Sequence, residues 1–181
     1  MRCSTEFRWQ ALVIGAWLAT SGIANAEVPA GYRQVASHYG IPAEVLYAVG
    51  LAESARQVDS TGTVRPWPWT LNVQGKGFFY ASRTQVQQAL DSFLDVGFES
   101  IDIGLMQVNW RYHRQSLENP QLALDPYHNL RVAAKILQDC HQSHQDWWDA
   151  VGCYHAPNSP QRADRYRARV FEHWQRVTRR G

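Results

Sequence analysis

Residues 42–54 read Pro42-Ala43-Glu44-Val45-Leu46-Tyr47-Ala48-Val49-Gly50-Leu51-Ala52-Glu53-Ser54. The proline suits the first turn of a helix, where its missing N–H would have had no partner. Leu46, Val49 and Glu53 follow at spacings of three and four, which puts them on one helix face. A carboxylate therefore projects from the stripe that should meet the core. Burial penalises its charged form, so its pKa rises and it keeps a proton nearer neutral pH. A general acid for glycosidic cleavage needs such a proton. A glutamate that had simply reached the helix end and solvent would fit the same spacing.

Working outward, the chain reads as mainly helical with a small β insertion. Arg65-Pro66-Trp67-Pro68-Trp69 is rich in Pro and Trp. Thr70–Val73 and Phe78–Tyr80 are strand-like and flank Gly75-Lys76-Gly77, which predicts a β-hairpin. A helix is expected from about Thr84, where Thr84 and Gln87 match a capping box, with Val86, Leu90, Phe93 and Leu94 inward and Gly97 at its end. Ile101-Asp102-Ile103 alternates like a short strand. Asp125-Pro126 opens a helix with Leu130, Ala133, Ala134 and Leu137 inward, and Asp146 caps a shorter one through Trp147, Val151 and Tyr154. After Asn158-Ser159-Pro160 an Arg-rich helix runs to the end.

The 181 residues suit about one domain, and 45% hydrophobic with 19% charged residues is an ordinary globular balance. Eight Trp and eight Tyr suit a core or an aromatic-lined groove. Residues 1–26 have the layout of a secretory signal peptide: Arg2 and Arg8, the apolar run from Ala11 to Ala19, and Ala24-Asn25-Ala26 as cleavage site. The run is too short to span a bilayer, which takes roughly 20 residues, and Cys3 lies before it. The expected mature chain is thus one domain, 27–181, with net charge reduced from +2 to about +1 and an exported, periplasmic location. So weak a charge gives no global attraction to nucleic acid.

The local exception is the set Arg162, Arg165, Arg167, Arg169, Arg176, Arg179 and Arg180. These suit either a solvated helix face or a contact with anionic wall polymer, lipid headgroups at a membrane surface, or a partner protein. Cys140 and Cys153 form an even pair in an exported chain and suggest a disulfide. Zinc held by Cys140, His141, His144, Cys153 and His155 is the alternative, although the spacing matches no standard finger.

Three further blocks bear on chemistry. Gly104-Leu105-Met106-Gln107-Val108-Asn109 combines a turn-forming glycine, an adaptable apolar Met106, and amides at Gln107 and Asn109 suited to a polar ligand. Tyr154, in Cys153-Tyr154-His155, offers a hydroxyl to the acid or a sugar. The order Glu-Ser, Gly-Leu-Met-Gln-x-Asn, helix, aromatic-polar pair resembles the lytic transglycosylases of the soluble (SLT) type. The resemblance runs from about Pro42 to Asn158, and the chain also looks like the group associated with conjugation, type IV secretion and pili.

That resemblance implies a lysozyme-like fold and peptidoglycan glycan strands as substrate. It implies Glu53 as catalytic acid/base, with Ser54, Gly104, Met106, Gln107, Asn109 and Tyr154 binding substrate. It implies no cofactor or metal, and a secretion or conjugation machine as candidate partner. Two departures stand out: His155 replaces the family's Asn, and Cys153 replaces its Ala. The stretch from Ser54 to Gly104 is also longer than in compact members. Asp102 and Asp59 are candidates for a second carboxylate. The implied reaction cuts between N-acetylmuramic acid and N-acetylglucosamine and leaves a 1,6-anhydro end. The rivals are a lysozyme-like hydrolase and a non-catalytic wall-binding module, the latter opposed by the cost of an idle buried carboxylate.

Overall fold

A computed structural model describes residues 27–58, 60 and 62–179. Residues 1–26, expected to be a signal peptide, and Asp59 and Arg180 lie outside the described residues. Helix α1 spans Ala30–Tyr39 and α2 spans Ala43–Ser54. Two short strands follow, β1 (Ala55–Gln57) and β2 (Val64–Pro66), then β3 (Thr70–Val73) and β4 (Lys76–Phe79). Helix α3 (Arg83–Asp95) leads to β5 (Ile101–Ile103) and β6 (Val108–Asn109). The rest is helical: α4 (Trp110–Leu117), α5 (Pro120–Ala123), α6 (Pro126–His144), α7 (Trp147–His155) and α8 (Pro160–Thr178). This is a mainly α, α+β architecture of lysozyme-like type. No helix among the described residues is long and apolar enough to cross a membrane.

Helix α2 is the axis of the core. Every residue from Val45 to Leu51 is buried, so its apolar surface is a full wrap rather than a stripe. It is packed chiefly on α8 and also meets α1 and β2. Glycine is required at Gly50, where a Cβ would come within 2.3 Å of the Tyr32 hydroxyl and 3.2 Å of Met106 Sδ. Tyr32 Oη in turn donates to that sulfur at 3.6 Å.

The β-hairpin is one edge of a four-stranded antiparallel sheet ordered β4-β3-β5-β6. Its turn lies one residue earlier than the sequence suggests. Gln74 (φ 52°) and Gly75 (φ 83°) form the two-residue turn, while Lys76 and Gly77 pair with Val73 and Asn72. Positive φ at both central positions matches the twist of the flanking strands, and glycine meets that demand cheaply. Leu71 pairs with Ile103, and Asp102 with Asn109, so the inner strands meet the Gly104–Gln107 turn.

The start of α3 also differs from expectation. Ser82, not Thr84, is the N-cap: its Oγ accepts from Gln85 N at 3.3 Å, and Gln85 Oε1 accepts from Ala81 N at 3.0 Å. Gln87 bonds to Asp91 instead. The caps at Asp125 and Asp146 accept backbone N–H groups of His128, and of Trp148 and Asp149. Cys140 on α6 and Cys153 on α7 are joined as a disulfide, with Cα atoms 5.9 Å apart. A closed loop this short contributes about 2–3 kcal/mol. The bond takes two ligands from the zinc alternative, and no metal-ligating group of three His, Cys, Asp or Glu occurs among the described residues.

Candidate active site

Glu53 is the penultimate residue of α2, partly buried where the helix meets α8. Its Oε1 accepts a 2.6 Å hydrogen bond from Tyr166, a residue of α8 that is 2% exposed. Burial drives the Glu53 carboxyl up to about 7. The Tyr166 bond and the positive charge of Arg169 pull it back, and the charge of Asp102 adds to the rise. The acid is therefore protonated below neutrality yet ionisable above it, which suits a group that must give and then take a proton. Desolvation first, then the charge of the same carboxylate, holds the Tyr166 phenol well above its ordinary value.

The motif turn stands opposite, and most of its polar atoms are engaged within the protein. Gly104 has φ 78°, and a Cβ there would meet Asn129 at 3.1–3.3 Å. Asn129 is fully buried: Nδ2 donates to Ile103 O and Ala123 O, and Oδ1 accepts from Met106 N at 2.9 Å. The Met106 side chain is fully buried in the core. Gln107, at φ 48°, donates from Nε2 to Gly104 O at 2.9 Å and to Thr70 O at 3.2 Å. Asn109 caps α4 and donates from Nδ2 to Asp102 Oδ1 at 2.7 Å. Burial raises the Asp102 carboxyl, and the Asn109 bond opposes that rise. Asp102 thus lies close enough to Glu53 to act on it, with its side chain tied to Asn109.

Two further residues also bond inward. Ser54 is 1% exposed, and its Oγ donates to Leu105 O at 2.6 Å and accepts from Trp67 N at 3.1 Å. It ties the end of α2 to the motif turn, and its hydroxyl is occupied by those partners rather than turned to a ligand. Tyr154 donates to Met106 O at 2.7 Å. Desolvation first, then the charges of Glu53 and Asp102, keep its phenol well above the ordinary value, so it stays a neutral donor. The two departures from the family pattern have places here. The His155 ring stacks on Tyr166 at 4.3 Å and 3°. Cys153 anchors α7 through the disulfide.

Sequence reasoning missed Tyr166 and Asn129. The signal for Tyr166 was its spacing of four and eleven from Val170 and Val177, the inward stripe of α8. The Arg-rich surroundings of that stripe directed the reading to the solvated face. Within that Arg set, Arg167 pairs with Asp149 and Asp164, Arg176 pairs with Glu172, and Arg169 covers the Tyr166 ring at 5.1 Å. A groove of about 560 Å³ lies elsewhere, over the disulfide, and shares no residue with the surroundings of Glu53.

The helical fold with its small antiparallel sheet, and a desolvated glutamic acid at the end of α2, are those of a lysozyme-like protein. More narrowly, the chain belongs to the transglycosylase SLT domain family, whose model matches residues 32–176. This is a family of lytic transglycosylases that act on peptidoglycan. The chain is also 27% identical over 172 residues to invasion protein IagB of Salmonella typhimurium, strains SL1344 and LT2, and of Salmonella typhi. Those alignments cover 91% of this chain and 86% of the relatives. No solved structure gives a significant match.

Proposed function

We propose that this protein is an exported lytic transglycosylase that cuts the β-1,4 bond between N-acetylmuramic acid and N-acetylglucosamine, leaving 1,6-anhydro-muramyl ends. The observation that carries this reading is Glu53, desolvated and held near neutrality beside one phenolic donor. Glu53 protonates the glycosidic oxygen as the carbon–oxygen bond breaks. The muramyl N-acetyl group supports the developing positive charge at the anomeric carbon. The Glu53 carboxylate, steadied by Tyr166, then takes the proton of the muramyl 6-hydroxyl. That oxygen attacks the anomeric carbon, closes the anhydro ring and leaves Glu53 protonated again. One carboxyl group serves both steps, and no cofactor or metal takes part. Asp102 acts on Glu53 through its charge, and Asn109 holds its side chain in place.

The relatives are called invasion proteins, which favours a role in opening the wall locally for a secretion, conjugation or pilus machine. The N-terminal segment is read as the export signal, and the mature enzyme as periplasmic.

The test is digestion of purified peptidoglycan by the mature protein and by Glu53→Gln, with products weighed by mass spectrometry. Anhydro-muropeptides from the wild type and none from the variant are expected. Reducing ends alone would make the enzyme a hydrolase. Wall binding without any product would make it a non-catalytic module.

A further inference from the structure

The chain leaves α2 directly into a strand that carries an exposed arginine, Arg56. Arg56 stands three residues after Glu53, within roughly 10 Å by chain length alone. Its guanidinium carbon lies over two rings, 5.3 Å from the Trp67 centroid and 5.8 Å from that of Phe79. Arg65 is its register partner across the β1–β2 ladder. Directly paired residues of an antiparallel ladder project to one face, and like charges there repel. Both arginines are exposed, and neither is ion-paired among the described residues, whereas Arg33, Arg167 and Arg176 are. A repulsive pair left open on one face suits an anionic ligand.

The ring beneath Arg56 belongs to a strap that is bonded to the end of α2 and to the motif turn. Trp67, the ring beneath Arg56, donates from its backbone N to Ser54 O at 2.9 Å and to Ser54 Oγ at 3.1 Å. Its indole Nε1 donates to Tyr80 O at 2.8 Å. Three residues on, Thr70 O accepts from Gly104 N at 2.8 Å and from Gln107 Nε2 at 3.2 Å. The strap from Trp67 to Thr70 therefore joins the end of α2 to the motif turn, and the exposed Arg56 lies over its Trp67 ring.

The geometry points to Arg56, seated on Trp67 and Phe79 and backed by Arg65, as a carboxylate-recognition site at the cleft wall that takes the carboxylates of the peptides borne on the muramyl residues. The inference rests on the function proposed above and names the part of the substrate that function leaves open. The glycosidic bond and the sugar hydroxyls carry no charge, whereas the peptide branches do. Arginine suits the task because its planar fork meets a carboxylate with two parallel hydrogen bonds. The rings beneath it restrict its rotamers before the ligand arrives and strengthen it by cation–π attraction.

The test measures binding in the Glu53→Gln background, which separates it from turnover. The full mature chain is sedimented with purified sacculi before and after carbodiimide amidation of their carboxylates. Native sacculi should bind about fivefold more tightly than amidated ones, the size expected of a partly exposed charge pair. Adding Arg56→Gln should weaken binding to native sacculi by a similar factor and erase the difference between the two substrates. Phe79→Ala, at a half-exposed position, should give a smaller loss that keeps the charge dependence. Arg56→Gln binding that is unchanged, or that falls equally on native and amidated sacculi, would overturn the proposal. If binding depends on Arg56 and on carboxylates but the wild type yields no anhydro product, the reaction is wrong and the recognition site stands.

Discussion

Tyr166→Phe removes one oxygen atom and tests how the acid is held. The ring, its burial and the His155 stacking face all remain, while the 2.6 Å bond to Glu53 is lost. That bond favours the carboxylate, so its loss moves Glu53 further above its value of about 7. A hydrogen bond to a charged group contributes about 1.5–3 kcal/mol, and water entering the gap returns part of it. A net loss near 1.4 kcal/mol equals about one pKa unit. The alkaline limb of the pH–rate profile, where Glu53 loses the proton it must donate, should therefore move up by about one unit. The plateau below that limb should fall about tenfold, because the carboxylate formed as the glycosidic bond breaks has lost its donor. The assay is release of soluble muropeptides from sacculi between pH 5 and 9, alongside thermal unfolding to show that the variant is folded. A limb that stays in place or moves down, or a plateau that does not fall, would refute the role given to Tyr166.

Asp102→Asn should shift the same limb the opposite way, because it removes the negative charge that helps raise Glu53 while an amide oxygen can still accept from Asn109. An upward shift would contradict this electrostatic account. Glu53→Gln should also change stability. The folded pKa of Glu53, about 7, exceeds its unfolded value of 4.5, so its contribution to stability is full below 4.5 and is lost as pH rises through 7. The loss is roughly 3 kcal/mol. Urea curves should show wild type and variant similar at pH 4.5 and the variant more stable at pH 8; a gap independent of pH would argue against desolvation. Gly104→Ala should cost about 1–3 kcal/mol, because a left-handed φ and contact with Asn129 oppose the added methyl. An undiminished melting temperature there would show that the turn relaxes freely. Replacing both Cys140 and Cys153 by Ser should cost about 2–3 kcal/mol in chemical denaturation, with the pH–rate limb of Glu53 unmoved.

What could be read from sequence was what neighbours in the chain determine. The apolar run of α2 placed Glu53 against the core, and Asp125 and Asp146 announced helix starts through backbone N–H groups two or three residues away. The Gly104 motif marked a turn, and Gly104 has the positive φ that glycine takes most cheaply. Contacts made across the fold were not legible. Tyr166 is 113 positions from the acid it bonds, and an Arg-rich helix draws the eye to its wet side. Asn129 sits at the start of the stripe Asn129, Ala133, Leu137, Cys140, and the groups it bonds, at Ile103, Met106 and Ala123, come from other parts of the chain. Helices α1, α4 and α5, and strands β1, β2 and β6, are short or weakly patterned, and packing rather than local preference settles them.

The side chains of the motif are mostly turned to the protein rather than outward, and this changes how they act. Ser54, Asn109, Asn129 and Tyr154 each satisfy groups of the chain around the Gly104–Gln107 turn. Their joint effect is to fix where Asp102 and the end of α2 stand relative to α8. Glu53 owes its raised pKa first to burial within that arrangement; Tyr166 and Arg169 of α8 pull it back, and the charge of Asp102 on the motif strand adds to the rise. Substitutions at these positions should therefore move the pH dependence of cleavage, since they disturb the environment of one proton. Arg56 stands outside this network, on the exposed face of β1. Its substitution should change affinity for charged substrate and leave the pH limb where it was. Two classes of residue, separable by which of these readouts moves, follow from one division in the structure between groups that set the acid and groups left open to meet the wall.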